Sequence, residues 1–291
     1  MTNPPIPSRP YSKVRGSEPS VTTILGVKNT PGLDWAAAKL TAEHAVYEDE
    51  WKLDGRGVWL PEHEQIDNLR RYFKGIWNGR AYMGTLVHSV NEAWCNGDRF
   101  DIDALLQAHL PWNRNAELYD MKKLAALLYI QGLEQWWLDA QPTDILSEDC
   151  VRTPGKYVGT RDMVCTIDGE RWLIDIKTTE QQDPEKGIYS DSWALQLAAY
   201  RYAQEVITYE WLHEDQKRGP VKPRLVVSTV EPNAPVDRCG VIHLRGNNKY
   251  DFYEVEASEQ TYEVFYSLIP IYHWFKNCPP VTAISSLGGT R

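Results

Sequence analysis

The sequence has no CxxC pair, no apolar run near the ~18 residues that a membrane helix needs, and no excess of positive charge. Each absence excludes something. Five cysteines, at 95, 150, 165, 239 and 278, are odd in number and scattered. They suit neither a disulfide framework nor a zinc ribbon, so a reducing, cytoplasmic setting is expected. The best apolar runs, around Leu124–Leu133 and Tyr266–Phe275, are short and interrupted, and the opening MTNPPIPSRPYSK has no signal-peptide core, so no membrane association is expected. Thirty-one basic residues against 40 acidic ones give a net charge of −9, which taken alone argues against a sequence-blind nucleic-acid binder. What remains is a large core-forming capacity. The 291 residues are 42% hydrophobic, with 12 Trp and 16 Tyr, which makes one large domain or two modest ones and excludes disorder for most of the length.

The distribution of charge says more than its sum. Between Asp144 and Glu185 there are ten acids and five bases; between Gln216 and Lys249 there are seven bases and two acids. Arg9, Lys13 and Arg15 add to the basic side near the N-terminus. An acidic centre beside basic segments suits a cation site that handles an anionic polymer. Charge scattered over a solvated surface accounts for the same count equally well.

Hydrophobic periodicity divides the chain. Residues 1–18, with four prolines, read as an extended arm. Pro19-Ser20-Val21-Thr22-Thr23-Ile24-Leu25 places capping residues ahead of a short apolar turn. Helices are expected near Leu33–Asp49, Pro61–Trp77, Arg80–Asn96 and Ala116–Ala140. From Asp144 the pattern changes to period two, with strands in ILSEDCVR, YVGTRDMVCTI and RWLIDIKT. Ser190–Glu205 returns to helix with Ser190 or Asp191 as cap. Residues 223–230, 239–245 and 250–257 read as strands, and Ser258–Phe275 as a closing helix. The expected architecture is α/β or α+β: a mixed sheet flanked by helices over 144–277, a helical cap region over 19–143, and a tail over 278–291.

Asp168-Gly169 between two β-patterned runs predicts a two-residue type I′ hairpin. That turn pairs 167 with 170, 165 with 172 and 163 with 174, and sets Asp162 opposite Asp175. One face then carries Met163, Cys165, Ile167, Trp172, Ile174 and Ile176, and is core. The other carries Asp162, Val164, Thr166, Leu173, Asp175 and Lys177, and is expected on the solvent side. Opposed carboxylates about 4.5–5.5 Å apart repel, so they require a cation between them or a proton on one. Lys177 compensates in part; a divalent ion with oxygen ligands, Mg²⁺ or Mn²⁺, does so more fully. A solvated Asp–Asp–Lys surface cluster is the alternative.

Asp162, followed by Asp175-Ile176-Lys177 on the next strand, resembles the signature of the PD-(D/E)xK nuclease superfamily. More of the chain is similar to its RecB-like exonuclease branch, phage-encoded and CRISPR-associated: the opening Pro19-Ser20-Val21-Thr22-Thr23-Ile24-Leu25, Gly84-Thr85-Leu86-Val87-His88, Gly159-Thr160-Arg161-Asp162 and Gln196-Leu197-Ala198-Ala199-Tyr200, in the family's order over roughly residues 19–205. The resemblance implies a restriction-endonuclease-like fold and Mg²⁺- or Mn²⁺-dependent hydrolysis of DNA from its ends, in phage or bacterial recombination or repair. It implies a metal held by His88, Asp162, Asp175 and the Ile176 carbonyl, with Glu148 as a possible additional acid and Glu92 a weaker one. Lys177 then orients or deprotonates the nucleophile, or stabilises developing charge, while Gln196 and Tyr200, on one helix face, position phosphate or water. DNA is expected on Arg161, Lys217, Arg218, Lys222, Arg224 and Arg245 and on the N-terminal arm, with bases stacking on some of Trp51, Trp59, Trp77, Trp94 and Trp112. The three clustered C-terminal cysteines of CRISPR-associated members are missing, so no iron–sulfur cluster is expected; without a helicase signature the nuclease would stand free. A structure-specific or flap endonuclease, or a non-catalytic DNA-binding protein on the same fold, are the alternatives. A single-strand annealing or single-strand-binding protein is the partner that analogy with the branch suggests.

Overall fold

The computed structural model describes residues 18–28, 33–98, 101–104, 116–183, 185–212 and 224–278. Strand-forming sequence becomes strand where apolar side chains can be buried on either side. Seven strands, β1 (Thr143–Thr153), β2 (Tyr157–Ile167), β3 (Glu170–Thr178), β4 (Glu205–Leu212), β5 (Arg224–Pro232), β6 (Arg238–Leu244) and β7 (Tyr250–Glu254), form one sheet in the order β5-β4-β1-β2-β3-β6-β7. β3 and β6 pair in parallel and the other neighbours antiparallel, so the sheet is mixed and the fold α+β.

Helices cover both faces. On one side α1 (Val21–Leu25), α5 (Ser190–Arg201) and α6 (Glu259–Lys276) pack on Val151, Tyr157, Val164, Leu173 and Val241. On the other, α3 (Glu62–Cys95) and α4 (Ala116–Ala140) pack on Met163, Cys165, Trp172, Ile174 and Ile242. The second face of the β2–β3 hairpin therefore does not meet solvent as its polar residues suggested: Asp162 and Asp175 are 5% and 3% exposed. Val164 and Leu173, between the acids, supply the apolar surface that α5 covers.

The hairpin forms in the expected register, Met163↔Ile174 through Ile167↔Glu170. Asp168 and Gly169 both adopt positive φ, 51° and 84°, as a type I′ turn requires. Two helical expectations are corrected. The stretches 61–77 and 80–96 are one 34-residue helix, α3, because the glycine at 79 between them costs only ~1 kcal/mol whereas restarting a helix requires a new nucleus. The helix from Ser190 stops at Arg201 rather than Glu205; it starts after Tyr189 without a side-chain cap. Glu205 opens β4 instead, where it pairs with Arg152 of β1 and accepts its guanidinium at 2.7 Å. The signal for β4 was the run Val206-Ile207-Thr208-Tyr209. α2 (Leu33–Tyr47) and a 3-10 turn at Glu50–Lys52 lead into α3, and Ser20 and Ser258 cap α1 and α6. Among the described residues no helix is long and apolar enough to cross a membrane.

Candidate active site

The site is built where the ladder between β1, β2 and β3 is interrupted. β1 and β2 pair as Ser147↔Met163 and Asp149↔Arg161, which brackets Glu148 against Asp162. Glu148 takes a left-handed φ of 52°, a conformation disfavoured for a residue with a Cβ. On the other side of β2, the described β2–β3 pairing ends at Met163↔Ile174. Beyond it, Asp162 turns its Oδ2 to the Ile176 N–H, which donates at 2.8 Å. Three carboxylates thus stand on three adjacent strands, and α3 brings His88 over them.

His88 Nδ1 lies 3.3 Å from Asp162 Oδ1 and 4.0 Å from Glu148 Oε1. One ligand atom from each of His88, Glu148 and Asp162 falls within 4.8 Å of the others. Two carboxylate oxygens and an imidazole, partly buried and converging on one point, fit a hard or borderline divalent ion such as Mg²⁺ or Mn²⁺. Asp175, expected as a ligand, is beside this group, with its Oδ2 2.6 Å from Lys177 Nζ and its Oδ1 accepting from Gln196 Nε2 at 2.9 Å. Gln196 joins the rest, accepting from Lys177 Nζ at 3.2 Å and donating to the Tyr200 hydroxyl at 3.1 Å.

Burial and charge drive the two aspartates apart. Burial alone would raise Asp162, but the charge and hydrogen bond of His88, the Lys177 ammonium and the Ile176 N–H reverse this and hold it well below the usual carboxylate range. Burial pushes the Asp175 carboxyl up to about 6; Lys177 opposes that rise and the charge of Asp162 adds to it. The pair resembles an acid and a base held side by side.

All six of His88, Asp162, Asp175, Lys177, Gln196 and Tyr200 line one cleft. Ser20, Thr22 and Thr160 line it too and were not foreseen. Thr160 stands in the Gly159–Asp162 motif, and the signal for Ser20 and Thr22 was the opening Pro19–Leu25 sequence, which the N–H of Val158, bonded to the Pro19 carbonyl at 3.0 Å, ties to β2. The glycines of the motifs differ in strictness. A Cβ on Gly84 would sit 3.3 Å from Thr178 Oγ1, a tight but tolerable approach of α3 to β3. On Gly159 it would sit 2.4 Å from Tyr200 Cε1. Gly159→Ala is therefore expected to lower stability in urea by about 1–3 kcal/mol through overpacking; an unchanged midpoint would mean that Tyr200 does not seat against β2.

The expected DNA contacts are placed differently. The Arg161 guanidinium is 3% exposed as a residue and is bound inside by Asp149 and by Asn233 Oδ1 at 2.8 Å. Arg245 is equally enclosed, held by Asp251 at 2.7 Å and by the carbonyls of Gln181, Asp183 and Lys186. Neither is brought to the cleft or offered to a ligand, because each closes an internal charge and carbonyl cluster. Arg224 opens β5 at the sheet edge, two strands beyond β1. Lys217, Arg218, Lys222, Trp112 and the arm 1–17 lie outside the described residues. Glu92 follows His88 by one turn of α3 and does not line the cleft.

No curated protein matches the sequence. Among solved structures, one titled "Crystal structure of SSO0001" is 13% identical, with 84% of this chain and 87% of that chain covered and a TM-score of 0.31, a likeness too weak to carry an argument. The family comparison is different in kind. Over residues 63–240, which run from the start of α3 through the three acidic strands and α5 into β6, the sequence matches the model of the PD-(D/E)XK nuclease superfamily, and the chain belongs to that superfamily.

Proposed function

We propose that this protein is a Mg²⁺- or Mn²⁺-dependent deoxyribonuclease of the RecB-like branch that degrades DNA from its ends, in phage or bacterial DNA processing. The observation that carries the reading is a His88–Glu148–Asp162 cluster whose His88 and Asp162 share one cleft with the Asp175–Lys177 pair. His88, Glu148 and Asp162 would hold the ion. When bound, the ion supplies Lewis acidity to a phosphoryl oxygen and acidity to its water. Asp162, fixed by the Ile176 N–H, keeps its charge available at neutral pH. Lys177 is placed to hold a proton near the attacking oxygen or to stabilise negative charge on the phosphate, with Asp175 and the Gln196 carbonyl oxygen orienting its ammonium. Gln196 and Tyr200 line the same cleft, where the Tyr200 hydroxyl, held by Gln196 Nε2, would meet a phosphate oxygen or a water.

Cleavage from ends is tested with two substrates of the same sequence, a linear duplex and its covalently closed circle, each with Mn²⁺. Progressive release of mononucleotides from the linear form alone is expected. Linearisation of the circle would replace the exonuclease with a structure-specific endonuclease; retention of both DNAs without turnover would reduce the protein to a binder.

A further inference from the structure

The end of α2, the turn 50–60 and the first turns of α3 carry exposed apolar side chains, none of which lines the cleft. Val46, Tyr47, Val58, Trp59 and Ile66 are between 49% and 81% exposed there, far more than isolated surface apolar residues require. They belong to one firmly tied unit. The His44 ring stacks on Tyr72 with centroids 3.5 Å apart, which joins α2 to α3. Trp51 Nε1 donates to the Glu48 carbonyl at 2.8 Å, and Asn68 Nδ2 donates to the Trp51 carbonyl at 3.1 Å. Leu53 bridges Trp59, and Asp54 Oδ1 accepts the Arg56 and Val58 N–H groups, both at 2.9 Å. Lys52 Nζ lies over the rings of Trp51 and Trp59, at 5.0 and 5.8 Å. Exposed apolar side chains on a frame so closely bonded are preorganised for contact.

Charge selects the occupant. From Glu43 to Asp67 there are eight acids and two bases; Glu43, Asp49, Asp54 and Asp67 are bridged by Lys39, Lys52, Arg56 and Arg71, and the excess of Glu48, Glu50, Glu62 and Glu64 is the reverse of what phosphates attract. The same sign disfavours a second copy of this chain, since an isologous contact would set the acidic stretch against itself. We propose that this surface docks a lysine- or arginine-rich amphipathic helix of a partner protein, its apolar anchors against Tyr47, Val58 and Trp59 and its basic flank toward the surrounding carboxylates. Such a partner would sit on the cap and leave the cleft open.

The probe is a fluorescein-labelled synthetic helix of about 16 residues, with Leu and Trp along one stripe and Lys flanking it. It is measured by anisotropy against the full-length protein. Saturable binding is expected, with affinity reduced at least about tenfold by the double variant Tyr47→Ser/Val58→Ser, and reduced also by Glu50→Lys/Glu64→Lys. Both variants must melt cooperatively, as followed by circular dichroism. A control peptide that keeps the lysines but has serine at the anchors is expected to bind at least about tenfold more weakly. Equal binding of the two peptides, unchanged affinity in both variants, or self-association of the protein in sedimentation would overturn the proposal. Cleavage of naked DNA is expected to be unaltered by Tyr47→Ser/Val58→Ser, so failure here and failure of the nuclease reading give different results. Weaker DNA retention by that variant would make the surface a nucleic-acid platform and overturn the partner helix.

Discussion

Lys177→Met is expected to lower the rate of DNA cleavage at least about a thousandfold, and Asp175→Asn about as much, with DNA affinity changed little by either. A positioned proton-transfer group contributes ~10²–10⁴ in rate, and charge stabilisation at a developing anion contributes a comparable factor. Lys177 is the cation nearest Asp175, and both line the cleft beside the His88–Glu148–Asp162 cluster. Methionine keeps most of the aliphatic stem, whose packing would otherwise be lost with the charge. The stability effect has a definite direction: removing the ammonium leaves Asp175, already buried, with one fewer partner, so its carboxyl rises further and is protonated at neutral pH instead of unfolding the chain. Single-turnover cleavage of an end-labelled linear duplex, with a melting curve for each variant, reads both quantities. Cleavage by Lys177→Met within tenfold of the parent would remove Lys177 from the chemistry; loss of DNA retention in step with loss of cleavage would show that it binds substrate instead.

The parts of this arrangement that were readable in the sequence are those set by local geometry. A two-residue Asp168-Gly169 turn has one favoured conformation, and once it is fixed every pair along β2 and β3 follows. Three motifs on separate elements then met in one cleft. What was not readable depends on distant partners. The face bearing Asp162 and Asp175 looked half polar, and only the packing of α1, α5 and α6 shows that it is interior. Glu148 could be marked as an acidic strand residue, but its left-handed backbone, which aims it at His88, leaves no trace in residue type. Counting bases failed for a related reason. Arg161 and Arg245 carry the same charge as a surface arginine, yet each answers a carboxylate across the fold, Asp149 twelve residues earlier and Asp251 on the next strand.

The second large effect concerns the ion itself. Addition of Mn²⁺ at about a hundredfold over its dissociation constant is expected to stabilise the fold by about 2.7 kcal/mol, which for a chain of this size raises the melting temperature by roughly 4 °C. The pH dependence has a sign. Asp175 has a folded pKa raised to about 6 from an ordinary value of 3.8, so without an ion its contribution to stability is fully present below 3.8 and is lost as pH rises through about 6. An ion beside the ionised pair offsets that loss, and its ligands must be deprotonated to bind it. The Mn²⁺-induced shift is therefore expected to be larger at pH 7.5 than at pH 5.5, and to be reversed by a chelator. Glu148→Gln separates the two possible ligand sets. If His88, Glu148 and Asp162 hold the ion, as their convergence within 4.8 Å indicates, this variant loses most of the shift while Asp175→Asn keeps more of it. The opposite ranking in a thermal melt would move the ion to the Asp162–Asp175 side and leave Glu148 as a bent strand residue with no ligand role.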